Sequence, residues 1–361
     1  MIKSLQGLRV IAMLLIFFFH CSFINEGNWS IIYNIFFYDG YFAVTFFFIL
    51  SGLVTYRSLS KNSVDNTFKE SIKSTLKRMR KMYPLHLIIL IILLLLSFKP
   101  GNIIKKLLLS IPHFLLVQSF IPIVGVCFSF NGVSWYLSSL TFCYFISNFL
   151  YYKLTKIKSE NLMKFMIIIY LLQLIVVFMG QNNPMHHWLF YINPVFRSID
   201  FCLGMLLGRI LIESKNITFK NINYTSLEIG LVLILILMYT FARYVPQAFR
   251  WGVYYTPILI LIIAIFSKES GRLSKFLGNK IFMKLSTVSF EFFMIHQLVI
   301  THISKYFTTY TGECLIVILL LSLLIAISIK YLFKHLLSPK KDNVECPKVS
   351  EIKRDQLKEL I

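Results

Sequence analysis

LQGLRVIAMLLIFFFH, residues 5–20, places two ionisable side chains, Arg9 and His20, in one apolar run. Eleven residues apart, at 100° per residue, they return to nearly the same helix face, separated by roughly 16 Å along the axis. The run is long enough to cross a bilayer and lacks a small-residue cleavage site. It continues into Asn25, Glu26 and Trp29, so it reads as a retained first span.

The rest of the chain follows the same pattern. Of 361 residues, 57% are hydrophobic and 15% charged, and the mean hydropathy is +0.70. Soluble domains carry about 25% charged residues, so this composition belongs in a membrane. The spacing predicts an all-α, polytopic transmembrane helical bundle of about ten spans: 8–24, 31–54, 85–98, 134–152, 162–180, 194–212, 227–242, 253–266, 286–304 and 314–333. Residues 1–337 form the membrane domain and 338–361 a short polar tail. No internal repeat of the kind that marks many transporters is present.

One further apolar stretch, 107–124, is interrupted by Pro112, His113, Gln118 and Pro122. Counted as a full crossing, it would put the lysines at 153–158 opposite the basic loop at 57–81, which holds eight Lys and Arg. The positive-inside bias therefore makes it re-entrant or interfacial, with both termini cytoplasmic. Irregular backbone at that depth must be buried in protein or line a cavity, so it is a candidate wall of an active-site chamber. In the loop 57–84, Phe68, Ile72, Leu76 and Met79 recur at helical spacing beside Lys69, Lys73, Lys77 and Arg80, a basic amphipathic helix for the membrane surface.

The net charge of +21 is concentrated in loops between apolar runs, which encodes orientation in a bilayer rather than nucleic-acid binding. The six cysteines, at 21, 127, 143, 202, 314 and 346, have neither paired nor metal-ligand spacing. His186-His187 lacks a third ligand, so these read as exposed loop residues and no metal is expected.

Ionisable groups inside spans are functional candidates because burying them is costly. Arg9 and His20 could hold an anion and accept a proton, or be an orientation anchor and a hydrogen-bonded core histidine. Asp39, in the second span, could orient His20, or could sit in an outer loop, since Asp39-Gly40 is a good turn pair. Arg197 and Asp200, three apart, can pair on one helix face, as a structural ion pair or otherwise. Glu291 and His296 share the ninth span; each suits a helix–helix hydrogen bond as well as catalysis.

These residues fall inside a series of motifs. LQGLRVIAMLLIFFFH (5–20), GYFAVTFFFILSG (40–52), KRMRKMYPLH (77–86), SWYLSSLTFCYF (134–145), RSIDFCLGMLLG (197–208) and SFEFFMIHQLVI (289–300) occur in that order. Together they resemble the type 3 acyltransferase family, polytopic membrane proteins that move acyl groups, commonly acetyl, from a cytoplasmic donor to sugars or other extracytoplasmic acceptors. The resemblance implies that Arg9 and His20 are the essential pair, with Arg78, Arg197 and His296 supporting, and Trp135 in the Ser-Trp motif. Many relatives carry an acid where Thr45 stands and some a Glu where Leu140 stands; Lys81 replaces a usual Arg. No residues remain for the extra C-terminal domain of some members.

The resemblance leads to an acetyl-CoA-dependent O-acetyltransferase of polysaccharide biosynthesis in a bacterial cytoplasmic membrane, with no bound cofactor and acetyl-CoA or another acyl-CoA as co-substrate. Arg9, Arg78, Arg80 and Lys81 would hold the donor phosphates, since Arg forks match phosphate geometry. His20, oriented by Asp39, would act as general base on a hydroxyl of an extracytoplasmic carbohydrate, with Arg197 or a helix dipole favouring the oxyanion. The rival reading is a glycan transporter or flippase-like protein without acyl-transfer chemistry.

Overall fold

The computed structural model describes residues 2–23, 29–61, 65–99, 101–214, 222–307 and 312–337. The polar tail 338–361, with Cys346, lies outside the described residues. Among them there is no strand. The helices are α1 (Lys3–His20), α2 (Ser30–Phe36), α3 (Phe42–Leu59), α4 (Phe68–Met79), α5 (Tyr83–Leu96), α6 (Ile103–Phe114), α7 (Val124–Cys127), α8 (Ser134–Thr155) and α9 (Leu162–Gly180). They continue as α10 (Pro194–Glu213), α11 (Tyr224–Phe241), α12 (Gln247–Gly252), α13 (Thr256–Phe266), α14 (Arg272–Leu277), α15 (Lys280–Thr287), α16 (Ser289–Ile303) and α17 (Gly312–Leu337).

Local chemistry sets several starts. Asn193 caps α10 by accepting from the Val195 and Phe196 amides, ahead of Pro194 at the first helical position. Glu269 caps α1 from a distance, taking the Lys3 and Ser4 amides at 2.6 and 3.0 Å.

Among the described residues six segments are long and apolar enough to cross a membrane, or seven if the pair α4–α5, bent by 69°, counts as one broken span. By this measure the expected ten spans are found in part. The stretch 31–54 breaks at a turn over 37–41, leaving α2 and α3 as separate helices. The helices α5 and α16 have 14 and 15 residues, below the length of a span. By length α8 (22 residues) and α10 (20 residues) suffice, but their Ser, Asn and Arg side chains lower their hydropathy. Those polar groups are turned inward: Ser138, Ser139, Ser147, Asn148, Arg197 and Asp200 are all buried.

The helices form an inner and an outer set. Of the apolar window in α3, 72% is buried, against 22% in α9 and 17% in α11 and in α17. The outer helices turn large apolar side chains, such as Met179, Leu233 and Leu324, outward where a bilayer would cover them. At the centre α3 packs most extensively on α10. A Cβ on Gly52 would overlap the Phe201 carbonyl oxygen, and one on Gly204 the Ile49 carbonyl oxygen. Small residues permit this backbone approach. Gly204→Val should therefore separate the two central helices, costing about 3 kcal/mol. A folded yield and melting temperature equal to the unsubstituted chain's would refute this.

The interrupted segment 103–127 packs on α5 and α8 and is not helical throughout; Ser110, His113, Leu116, Gln118 and Ser119 turn inward, whereas Ile104, Leu108, Leu115 and Val124 are exposed. Pro112 lies near the end of α6, and Leu116 adopts a positive φ of 54°. Its backbone finds partners on its neighbours: the Tyr83 hydroxyl donates to the Phe114 carbonyl at 2.9 Å, and Ser138 Oγ donates to that of Leu116 at 2.7 Å. His86 Nε2 lies 2.9 Å from the His113 carbonyl. This is broken backbone satisfied by protein, as its depth requires. It does not wall the basic chamber described next, which corrects that expectation.

Candidate functional site

The chamber is built mainly on α1 and α3. One face of α3 runs Phe47, Leu50, Ser51, Val54 and Arg57, at helical spacing, from apolar to basic, and Lys61 follows in the turn beyond its end. Gln6, Arg9 and Ile16 of α1 face it, and Arg78, Leu140, Tyr144 and Phe293 complete a cavity of about 560 Å³. Among the described residues four cations line it (Arg9, Arg57, Lys61 and Arg78) and no carboxylate does. Arg78 donates from Nη1 to Thr55 Oγ1 at 3.3 Å and lies over the Tyr144 ring at 5.4 Å. Ser51, Tyr136 and Tyr144 line the cavity along with Arg9. The arrangement suits a polyanion with an apolar arm: cations at one end, Ile16, Val44, Phe47 and Phe293 at the other.

One turn past that apolar end stand two histidines. Ile16 and Phe293 line the chamber, and His20 and His296 follow them by four and three residues, about 6 and about 4.5 Å along their helices. His20 Nδ1 lies 3.0 Å from His296 Nε2. His296 Nδ1 lies 2.7 Å from the Phe293 carbonyl, which can only accept. The proton on His296 therefore sits on Nδ1, leaving its Nε2 as an acceptor. His20 Nδ1 must then carry the hydrogen between the rings. This leaves the lone pair of His20 Nε2 free, the state a general base needs. Phe292 stacks on the His296 ring at 5.8 Å and 2°, holding it in place.

Asp39 does not orient His20. It lies in the turn before α3, where Oδ2 accepts from the Tyr255 hydroxyl at 2.7 Å and Oδ1 faces Arg250 Nη1 at 3.3 Å. A carboxylate so engaged fixes the turn on α12 and α13, and the neighbour of His20 is a second histidine.

Arg197 is fully buried and has every nitrogen engaged. Nε donates to the Tyr191 carbonyl at 2.7 Å, Nη2 to that of Trp251 at 2.9 Å, and Nη1 to Thr45 Oγ1 and Asp200 Oδ2 at 3.2 and 2.8 Å. Asp200 Oδ1 in turn accepts from Gln173 Nε2 at 3.0 Å. Arg197 thus pins α10 to α3 and α12 instead of facing the chamber, which corrects its expected oxyanion role. The hydroxyl of Thr45 fills the place beside this arginine, and Asp200 supplies the negative charge. Removing one member leaves a buried charge uncompensated, so Asp200→Ala should cost about 3–5 kcal/mol. Thermal denaturation of the purified protein in detergent checks it; an unchanged melting temperature would contradict the pinning role.

The remaining candidates separate. Arg80 is turned 200° from Arg78 on α4, and Lys81 follows in the turn to α5; both are exposed and outside the chamber lining. Glu291 Oε1 pairs with Lys330 Nζ at 3.0 Å, tying α16 to α17. Trp135 is buried with its ring 4.9 Å from that of Tyr191, also away from the lining. His186 and His187 are half-buried instead of exposed, stacking on Trp251 at 5.3 Å and on Tyr191 at 5.5 Å. Among the described residues no three His, Cys, Asp or Glu side chains come together as a metal-binding group. Arg57 and Lys61 were missed, although the helical periodicity from Phe47 to Lys61 marks them as continuing the chamber face.

The chain is 27% identical over 325 residues to acyltransferase MdmB of Streptomyces mycarofaciens, covering 83% of this chain and 79% of that relative. No solved structure matches it. A family model described as an acyltransferase domain matches residues 2–333. That match begins before Arg9 and ends beyond Lys330, so the chamber and the histidine pair fall wholly within it: this multi-pass membrane protein belongs to the type 3 acyltransferase family.

Proposed function

We propose that the chain is an O-acyltransferase that moves an acetyl group from acetyl-CoA, or another acyl group from its CoA ester, to a hydroxyl of a surface or exported glycan. The observation that carries this reading is the locked His20–His296 pair, 3.0 Å apart, one turn beyond a chamber lined, among the described residues, by four cations and no carboxylate. In this reading the bundle sits in a bacterial cytoplasmic membrane with both termini inside. The buried-polar helices α8 and α10 cross it, as do the short α5 and α16, which restores about ten crossings. The chamber mouth, where Arg57 and Lys61 stand, then opens to the cytoplasm, as the positive-inside bias requires.

The chemistry follows from the free lone pair. The donor's phosphates engage Arg9, Arg57, Lys61 and Arg78, since charge-assisted bonds to phosphate are the strong ones. Its thioester arm must pass Ile16, Phe47 and Phe293 to reach the histidines. The acceptor hydroxyl, arriving from the far side, gives its proton to His20 Nε2 as its oxygen attacks the thioester carbonyl. The C–O bond forms, the C–S bond breaks, and the proton on His20 passes to the departing thiolate. His296 holds the Nδ1 hydrogen of His20 throughout and disperses the positive charge that develops on the ring. Leu140 lines the chamber in place of an acid, which spares the bound anion a repulsion.

The test is direct transfer. Purified protein in nanodiscs, given acetyl-CoA labelled in the acetyl group and a panel of bacterial surface glycans, should yield an alkali-labile labelled ester on one of them. A glycan that is translocated without gaining label would overturn the reading in favour of transport.

A further inference from the structure

The helix α4 has three faces at 100° per residue. Ser71, Thr75 and Arg78 face the protein, where Ser71 and Thr75 are buried and Arg78 lines the chamber. Phe68, Ile72 and Leu76 form an exposed apolar stripe, with Phe68 71% and Leu76 65% exposed. Lys69, Lys73, Lys77 and Arg80 form an exposed basic face, with Glu70 paired to Lys73 at 3.2 Å on the surface.

The apolar stripe continues into a groove. Ile72 and Leu76 of α4, Leu116 and Phe120 of the interrupted segment, and Phe142 and Phe145 of α8 enclose about 230 Å³. Two hydroxyls also border it, and both are satisfied on their own helices: Thr75 Oγ1 donates to the Ser71 carbonyl and Thr141 Oγ1 to that of Leu137, at 2.7 and 2.8 Å. Both hydroxyl hydrogens are thus used within their own helices and the other lining side chains are apolar, so the groove suits a hydrocarbon chain. The basic face beside it suits a negative head.

We propose that α4 and this groove bind an anionic glycerophospholipid of the surrounding bilayer, one acyl chain lying in the groove and the charged head on Lys69, Lys73, Lys77 and Arg80. Juxtamembrane lysines and arginines attract anionic lipid in this way, each adding to the last. The bound lipid clamps α4 against α8. Since Arg78 projects from the same helix into the chamber, lipid on the outer faces holds a chamber cation in place on the inner one.

Phe120 is 40% exposed at the groove rim, so Phe120→Trp supplies a fluorescent reporter there. In phosphatidylcholine vesicles, brominated phosphatidylglycerol should quench the added fluorescence at about a five-fold lower mole fraction than brominated phosphatidylcholine does. Combining F120W with K69Q, K73Q and K77Q should abolish the difference, whereas the corresponding K→R combination should keep it. A control combination at Lys153, Lys156 and Lys158, changed to Gln, should also keep it. Equal quenching by the two lipids, selectivity that survives the K69Q/K73Q/K77Q combination, or selectivity lost in the control would each overturn the proposal. No step of the test depends on acyl transfer.

Discussion

Replacing His20 with alanine is expected to lower acyl transfer by about a thousand-fold or more, the range a positioned general base contributes. The folded yield should stay near that of the unsubstituted protein, because His20 is half-buried and its ring bridges only α1 and α16. His296 separates a positioning role from simple packing. His296→Leu removes the acceptor of the His20 Nδ1 hydrogen and should reduce transfer by about a hundred-fold. His296→Gln can present an amide oxygen to that hydrogen and should recover part of the loss. Initial rates with labelled acetyl-CoA measure all three variants. If Leu and Gln at 296 behave alike, the histidine chain does not set the tautomer of His20, and the ring pair is only a helix contact.

What could be read in advance was whatever local periodicity controls. The alignment of Arg9 with His20 follows from 100° per residue, and the pairing of Arg197 with Asp200 from a spacing of three. The meeting of His20 with His296, 276 residues away, depends on α1 packing against α16, which no local pattern encodes. Asp39 was ambiguous for a related reason. An apolar run from Ile31 suggested a continuous span, whereas the Asp39-Gly40 turn interrupts it and swings the carboxylate toward Arg250. A count by length and hydropathy finds fewer spans than the spacing of apolar runs does, because interior helices carry the polar groups that build the core. In α10 the side chains of Arg197 and Asp200 lower the hydropathy, yet each satisfies the other away from lipid. A hydropathy scale cannot distinguish that from a helix outside the membrane.

Arg9 and Arg78 carry the second large effect, and it should fall on donor binding more than on the chemical step. Both line the chamber, one on α1 and one on α4, and among the described residues no carboxylate there competes for them. A charge-assisted hydrogen bond to phosphate contributes about 1.5–3 kcal/mol, so Arg9→Gln and Arg78→Gln should each raise the KM for acetyl-CoA about 10- to 100-fold. Arg9→Lys keeps the charge and loses the fork, and should fall between Gln and the unsubstituted chain. The penalty should shrink with acetyl-pantetheine, a donor without the nucleotide phosphates, on which unsubstituted and Gln forms should converge. Arg57 and Lys61 stand nearer the mouth, where screening by salt is strongest, so their Gln variants should show smaller losses that fade as ionic strength rises. Should Arg9→Gln instead lower kcat with KM unchanged, and do so equally with acetyl-pantetheine, Arg9 acts on the reacting carbonyl. The chamber would then have to be re-read as holding the donor in the opposite direction.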